Sequence, residues 1–136
     1  MNSSLVWLEI PANDFEQAVT FYENVFHIKT ETRVLFDTRH ALFTKDQLGM
    51  KGSIVELPGY KAGLGIKPIF YVDIMGDAIE RVKEFGGSVF RQPTLLRQKN
   101  KSGQIIIGTN LIDGKVGYYS EIKDPEGNHL YLYSHS

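Results

Sequence analysis

Among the side chains of this 136-residue sequence, Glu9 and His129 stand where a proton could be moved or an ion held. Glu9 lies two residues after Trp7 in the apolar run Val6 to Ile10, and His129 lies two and four residues before Tyr131 and Tyr133. Side chains alternate along extended backbone, so Glu9 shares a face with Trp7, and His129 shares one with Tyr131 and Tyr133. A carboxylate and an imidazole that meet can act as an acid and base pair, or give two donors to a metal ion. The competing role is structural, with His129 at a rim and Glu9 as a hydrogen-bonded carboxylate. His27 falls at the end of a helix, where the dipole favours it. Arg39 and His40 open a short strand and are candidates for the rim or for a structural role, and His135 is expected to be mobile near the chain end. The absence of cysteine excludes disulfides, thiolate metal sites and a cysteine nucleophile. No serine sits in a nucleophile-elbow context, and Gly63-Leu64-Gly65 has no third glycine opening a helix, so it is no phosphate loop.

The elements that must position these groups occur twice. The strand-like run of residues 4–10 leads through Asn13 and Asp14 into a helix with the apolar stripe Phe15, Ala18, Val19 and Tyr22. Sixty positions on, the run Lys67 to Val72 leads into a helix carrying Met75, Ala78, Ile79 and Val82 at like spacing. Such i, i+3, i+4, i+7 stripes mark one buried helical face, and their recurrence marks a duplicated module. Asn13 with Glu16 reads as a capping box, and Gly86-Gly87 stops the second helix. Short strands are expected at Thr30 to Phe36, His40 to Thr44, Ser53 to Leu57, Ser88 to Gln92, Gly117 to Ile122 and His129 to Ser134. The first module covers about residues 1–59 and the second about 66–136, joined by the glycine-bearing segment Tyr60 to Gly65. The stretch Leu95 to Tyr118 departs from the repeat, with an inserted hairpin expected around Asp113-Gly114.

Composition narrows the function classes. A content of 42% hydrophobic and 23% charged residues is that of an ordinary globular domain. The formal net charge of −1 lacks the basic footprint of a nucleic-acid or anionic-membrane binder. The first ten residues, MNSSLVWLEI, show no basic region followed by a long apolar run, and no apolar stretch approaches a membrane span. A cytoplasmic location is therefore expected.

The segments FEQAVTFYENVF at 15–26, GGSVF at 86–90 and KDPEGNHLYLYS at 123–134, in this order and within an internal duplication, resemble the vicinal oxygen chelate superfamily. That superfamily includes glyoxalase I, fosfomycin- and bleomycin-resistance proteins and extradiol dioxygenases. The resemblance implies an α+β fold of two βαβββ modules, a cup-shaped mixed sheet with the helices outside, and pairing as a homodimer. It also implies a divalent metal in the cup, held by one His, Glu or Gln from each of four strands. At the family spacing those four positions fall on Trp7, Glu56, Lys67 and Tyr131. Only Glu56 is an ordinary ligand, since an indole has no lone pair to offer and an ammonium repels a cation. No metal cofactor is expected.

Under the same resemblance and the alternation of strands, Trp7, Glu9, Ile54, Glu56, Lys67, Ile69, Tyr71, His129, Tyr131 and Tyr133 face the cup. Leu8, Ile10, Val55, Leu57, Phe70, Val72, Leu130 and Leu132 then pack beneath the helices. Lys67 and Glu56 either form an ion pair in place of the metal or reach the cup's mouth and solvent, with Trp7 expected on the pocket floor and flat ligands carrying a negative group preferred. Three readings stand side by side. One is a metal-free binder of small molecules, of the bleomycin-resistance kind. The second is a lyase, isomerase or dioxygenase with a rearranged metal site or with Glu9, Glu56, Lys67 and His129 as acid–base residues. The third is a non-catalytic scaffold with a filled cup.

Overall fold

A computed structural model describes residues 5–44, 52–99, 101–106 and 112–136. The chain runs β1 (Leu8–Ala12), α1 (Phe15–Phe26), β2 (Thr30–Leu35), β3 (Thr38–Phe43), β4 (Gly52–Glu56), β5 (Ile69–Tyr71) and α2 (Met75–Glu84). It continues through β6 (Ser88–Leu95), β7 (Gln98–Lys99), β8 (Ile105–Ile106), β9 (Tyr118–Lys123) and β10 (His129–Ser134). Two four-stranded mixed sheets result, ordered β1-β4-β3-β2 and β5-β10-β9-β6. In each, the strand before the helix pairs in parallel with the last strand of its unit, and the remaining pairings are antiparallel. The α+β, twice-repeated architecture is therefore the one the sequence implies.

Each helix buries the stripe that its spacing marks. Phe15, Ala18, Phe21, Tyr22, Val25 and Phe26 of α1 are buried, as are Met75, Ala78, Ile79 and Val82 of α2. Both stripes enter one core, in which the Phe26 and Phe70 rings stack at 4.3 Å and Tyr22 lies 6.0 Å from Phe70. The turn after β9 ties the halves together. Asp124 accepts a hydrogen bond from the Tyr22 hydroxyl at 2.8 Å, and Asn128 donates to the Pro11 carbonyl at 3.1 Å. The Glu126 carboxylate accepts from the backbone amides of Asn13 and Asp14, where the positive end of α1 favours an anion.

Gly87 explains the glycine pair. A Cβ there would stand 2.6 Å from the Lys123 carbonyl oxygen and 2.7 Å from the Phe21 ring, so α2, β9 and α1 close around a position with no side chain. Gly86 before it has φ +94, open to glycine and costly for other residues.

Several local expectations are corrected. The N-cap of α1 is Asp14, whose side chain accepts from the Gln17 amide at 3.1 Å, because the Asn13 side chain is taken by the Gly59 amide. Glu16 is therefore no capping-box partner and instead meets Arg39 at 3.1 Å. The hairpin in the irregular stretch pairs Gln98 with Ile106 and Lys99 with Ile105, ahead of the Asp113-Gly114 turn. Residues 107–111 of the expected hairpin lie outside the described residues. His135, expected to be mobile, has a partner: its ring nitrogen meets Asp113 at 2.7 Å. Among the described residues no helix is long and apolar enough to cross a membrane.

Candidate functional site

Each sheet keeps one face for its helix and leaves the other open. In the first sheet, Ile10 pairs with Ile54, and both belong to the core together with Ala12, Ala41 and Phe43. Glu9 pairs with Ser53 and Pro11 with Val55, so the open face carries Glu9, Ser53, Val55, His40 and Leu42. The expected parity of β4 is thus reversed, with Ile54 in the core and Val55 on the open face. Leu57 lies beyond the strand and is exposed rather than packed under a helix.

Glu56 accordingly leaves the cup. It lies on the helix side, where its carboxylate accepts from Arg39 at 2.5 and 3.1 Å, and the same guanidinium rests over the Phe15 ring at 4.6 Å. The Arg39 hydrogen bonds hold the Glu56 carboxyl below its usual range. The register that places Tyr131 beside Ile69 places Ser53 beside Glu9, so Ser53 rather than Glu56 occupies the equivalent of Tyr131. Trp7 precedes β1, is partly exposed, and donates its indole N–H to the Ser53 hydroxyl at 3.3 Å. Its expected place on a pocket floor is not matched by the three cavities described below, whose walls do not include it.

The second sheet matches its expected parity. Phe70, Val72, Leu130 and Leu132 enter the core, and Ile69, Tyr71, His129, Tyr131 and Tyr133 share the opposite face with Tyr119 and Glu121. There the structure gathers a buried cluster. Glu121 is 2% exposed and its Oε2 lies 3.2 Å from Lys67 Nζ and 2.7 Å from His129 Nδ1. Lys67 reaches Glu121 rather than the expected Glu56, and its ammonium also stands 5.5 Å from the Tyr131 ring centre. Burial pushes the Glu121 carboxyl up, yet hydrogen bonds from His129, Lys67 and Tyr131 outweigh it and leave the group below its usual range. The hydrogen bond to Glu121 raises Lys67 and keeps it an ammonium.

Next to this cluster, Ile69, Leu96, Ile112, Tyr119, Tyr131 and Tyr133 line a cavity of about 260 Å³. Tyr119 and Tyr131 stand with ring centres 6.0 Å apart. Tyr133 is fixed by a 2.8 Å hydrogen bond from its hydroxyl to Asp113 and by the close approach of Gly117, where a Cβ would lie 2.4 Å from the ring. A second cavity, of about 220 Å³, lies between β1, the segment 60–68 and the start of β10, and both Glu9 and His129 are in its walls. A third, of about 340 Å³, lies between the end of α1 and the start of α2, and of the expected site residues Tyr71 is in its wall.

Sequence reasoning missed Glu121 and the pairing of His40 with Glu9. The signal for Glu121 was present, since the turn Asp124 to Asn128 between β9 and β10 sets a register that puts Glu121 opposite Tyr131. His40 is 3% exposed and its Nε2 lies 2.7 Å from Glu9, a contact between strands that are not sequence neighbours.

No family model matches the sequence, and no curated protein matches it. Solved structures do. The hypothetical protein SA1046 from S. aureus aligns over 98% of this chain and 95% of its own, at TM-score 0.63 and 17% identity. A mutant of the genomically encoded fosfomycin resistance protein FosX from Listeria monocytogenes aligns over 100% and 95%, at TM-score 0.65 and 15% identity. TioX from Micromonospora sp. ML1 aligns over 98% and 100%, at TM-score 0.55 and 16% identity. The chain has the paired-module fold of the vicinal oxygen chelate proteins.

The FosX structure is complexed with Mn(II) and 1S,2S-dihydroxypropylphosphonic acid. The residues of this chain do not fit such an ion. At the positions that the resemblance assigns, with Ser53 in place of Glu56 by strand register, stand Trp7, Ser53, Lys67 and Tyr131, of which the indole and the ammonium have no lone pair to give. Among the described residues no group of three or more His, Asp or Glu is placed to hold a metal.

Proposed function

We propose that this chain is a small-molecule-binding protein that takes a flat, largely apolar ligand on the open face of its second sheet, without a divalent metal. The tyrosine wall carries the reading. Tyr119, Tyr131 and Tyr133 with Ile69, Leu96 and Ile112 form a concave aromatic surface, the kind that holds a planar ligand by stacking and apolar burial. Lys67 stands behind Tyr131 with its charge matched by Glu121, so it gives the pocket less preference for anions than its position in the sequence implies. The open face of the second sheet also exposes Ile69 and Phe90, apolar surface that a second copy of the chain would cover, and a cytoplasmic homodimer is part of the proposal.

Calorimetric titration of chelator-treated protein with 2-naphthol and 2-naphthoate tests the reading. Saturable binding of both, weakened in Tyr131→Ala and unaffected by Lys67→Met to within about twofold in the naphthol case, is the expected result. Binding that needs added Mn(II) or Zn(II) would overturn it.

A further inference from the structure

One end of the tyrosine wall is tied to a surface segment. We propose that residues 112–117 form a strap at the mouth of the tyrosine-lined cavity, clasped by Asp113 to Tyr133 and His135, and that release of this clasp admits and frees the ligand. The proposal rests on the reading of that cavity as the ligand site and adds the control of entry to it.

The strap is placed by its two apolar contacts with the wall. Ile112 lines the cavity together with Tyr119, Tyr131 and Tyr133, yet it is 51% exposed, so the wall it builds lies at the surface. Gly117 is buried against the Tyr133 ring, which a Cβ would approach to 2.4 Å, and its carbonyl accepts from the Leu96 amide at 2.8 Å. Leu96 is itself in the wall, so Gly117 is a fixed end. Residues 112–116 before it are all exposed, and a segment with so little burial opens locally at low cost.

Asp113 gathers the contacts that hold the strap in place. Its Oδ1 accepts from the Tyr133 hydroxyl at 2.8 Å and from the Lys115 amide at 3.0 Å, and its Oδ2 lies 2.7 Å from His135 Nε2. Burial pushes the Asp113 carboxyl up, but these three donors outweigh it and hold the group below its usual range. It is therefore a carboxylate, which only accepts, so His135 Nε2 carries a hydrogen. The His135 ring stands edge-on to Tyr133 at 5.4 Å and lies 5.4 Å from Tyr71. One carboxylate thus joins the strap to a residue of the wall and to the residue that follows β10.

The strength of the clasp suits a gate. Hydrogen bonds with a charged partner are the stronger kind. The Asp113 and His135 side chains are each 31% exposed, so water can take over their contacts when the strap lifts. Because Asp113 holds the strap in the empty and in the filled cavity alike, weakening the clasp speeds entry and exit together and leaves Kd nearly constant. Damage to the wall would instead raise the dissociation rate and Kd in step, which separates a clasp from a merely structural support.

Two variants test this with the intact chain. Tyr133→Phe keeps the ring in the wall and removes the hydroxyl, and His135→Ala leaves the wall as it is. In stopped-flow fluorescence with 2-naphthol, association and dissociation rates should each rise by about tenfold in either variant, near the low end for a hydrogen bond to a charged group, with Kd nearly unchanged. Amide hydrogen exchange needs no ligand. The Lys115 amide, a donor to Asp113, should exchange about tenfold faster in both variants, while the Leu132 amide in β10 keeps its wild-type rate. Unchanged Lys115 exchange overturns the clasp, and so does a faster dissociation matched by Kd with no gain in association. A wild-type chain that binds no 2-naphthol removes the cavity reading and the gate with it, whereas unchanged Lys115 exchange in a chain that binds removes the clasp alone.

Discussion

Tyr22→Phe deletes one oxygen from the centre of the molecule and reads out the join between the halves. The Tyr22 ring is 0% exposed and is packed against Phe21, Phe26, Phe43 and Phe70, all of which a phenyl ring would keep. Only the 2.8 Å hydrogen bond to Asp124 is lost. Burial raises the Asp124 carboxyl above its usual 3.8, although Asn128, Tyr22 and the Glu126 amide all donate to it. A raised folded-state value means that the folded chain binds this proton more tightly than the unfolded chain. The resulting stabilisation is complete below about pH 3.9 and is lost as pH rises through the raised value. Above that window the buried carboxylate depends on its donors, and a hydrogen bond to a charged group contributes about 1.5–3 kcal/mol. With 136 residues at about 2.1 cal/mol/K each, the unfolding entropy is about 0.29 kcal/mol/K, so Tm at pH 7 should fall by roughly 5–10 °C. At pH 3 the acid is neutral and the loss should shrink to about 0.5–1.5 kcal/mol. Urea unfolding at both pH values measures the difference. An equal loss at pH 3 and pH 7, or a loss under about 0.5 kcal/mol at pH 7, would refute the reasoning.

Other perturbations probe separate parts of the account. Gly87→Ala forces a methyl group against Lys123, Phe21 and Val82, and should cost about 3 kcal/mol in urea unfolding, at the upper end of overpacking effects. Glu121 sits below its usual 4.5, so its stabilising contribution is present above about pH 4.5 and is lost as pH falls through the lowered value. Lys67→Met removes one of the donors that lower it, and should move the onset of acid unfolding, followed by circular dichroism, to higher pH. Light scattering at micromolar concentration should give twice the chain mass of 15.4 kDa. A value near one chain mass would count against the homodimer.

The legibility of the sequence depended on contrast along each strand. In His129–Ser134 apolar Leu130 and Leu132 alternate with His129, Tyr131 and Tyr133, and the faces follow directly. In β4 the residues Ile54 and Val55 are both apolar, and Leu57 follows Glu56, so alternation gives no sign of which face is which. The parallel register with β1 decides it, and that register is a long-range property. The helices were legible because each stripe repeats over two turns, while the cap of α1 was misplaced because a distant glycine amide occupies Asn13. Glu9 and His129 were legible as single candidates. Their partners, His40 and Glu121, come from neighbouring strands, and only the Glu121 pairing is set by a short turn.

The most direct test of the central claim is a titration of chelator-treated protein with 2-naphthol, read by heat and by the tyrosine ring signals in NMR. A metal-free tyrosine pocket predicts one saturable site per chain, shifts confined to Tyr119, Tyr131 and Tyr133, and the same Kd with or without EDTA. Tyr131→Ala should weaken binding by roughly two- to twelvefold, the range for one aromatic contact of about 0.5–1.5 kcal/mol. No saturation, or saturation only after a divalent metal is added, would contradict it.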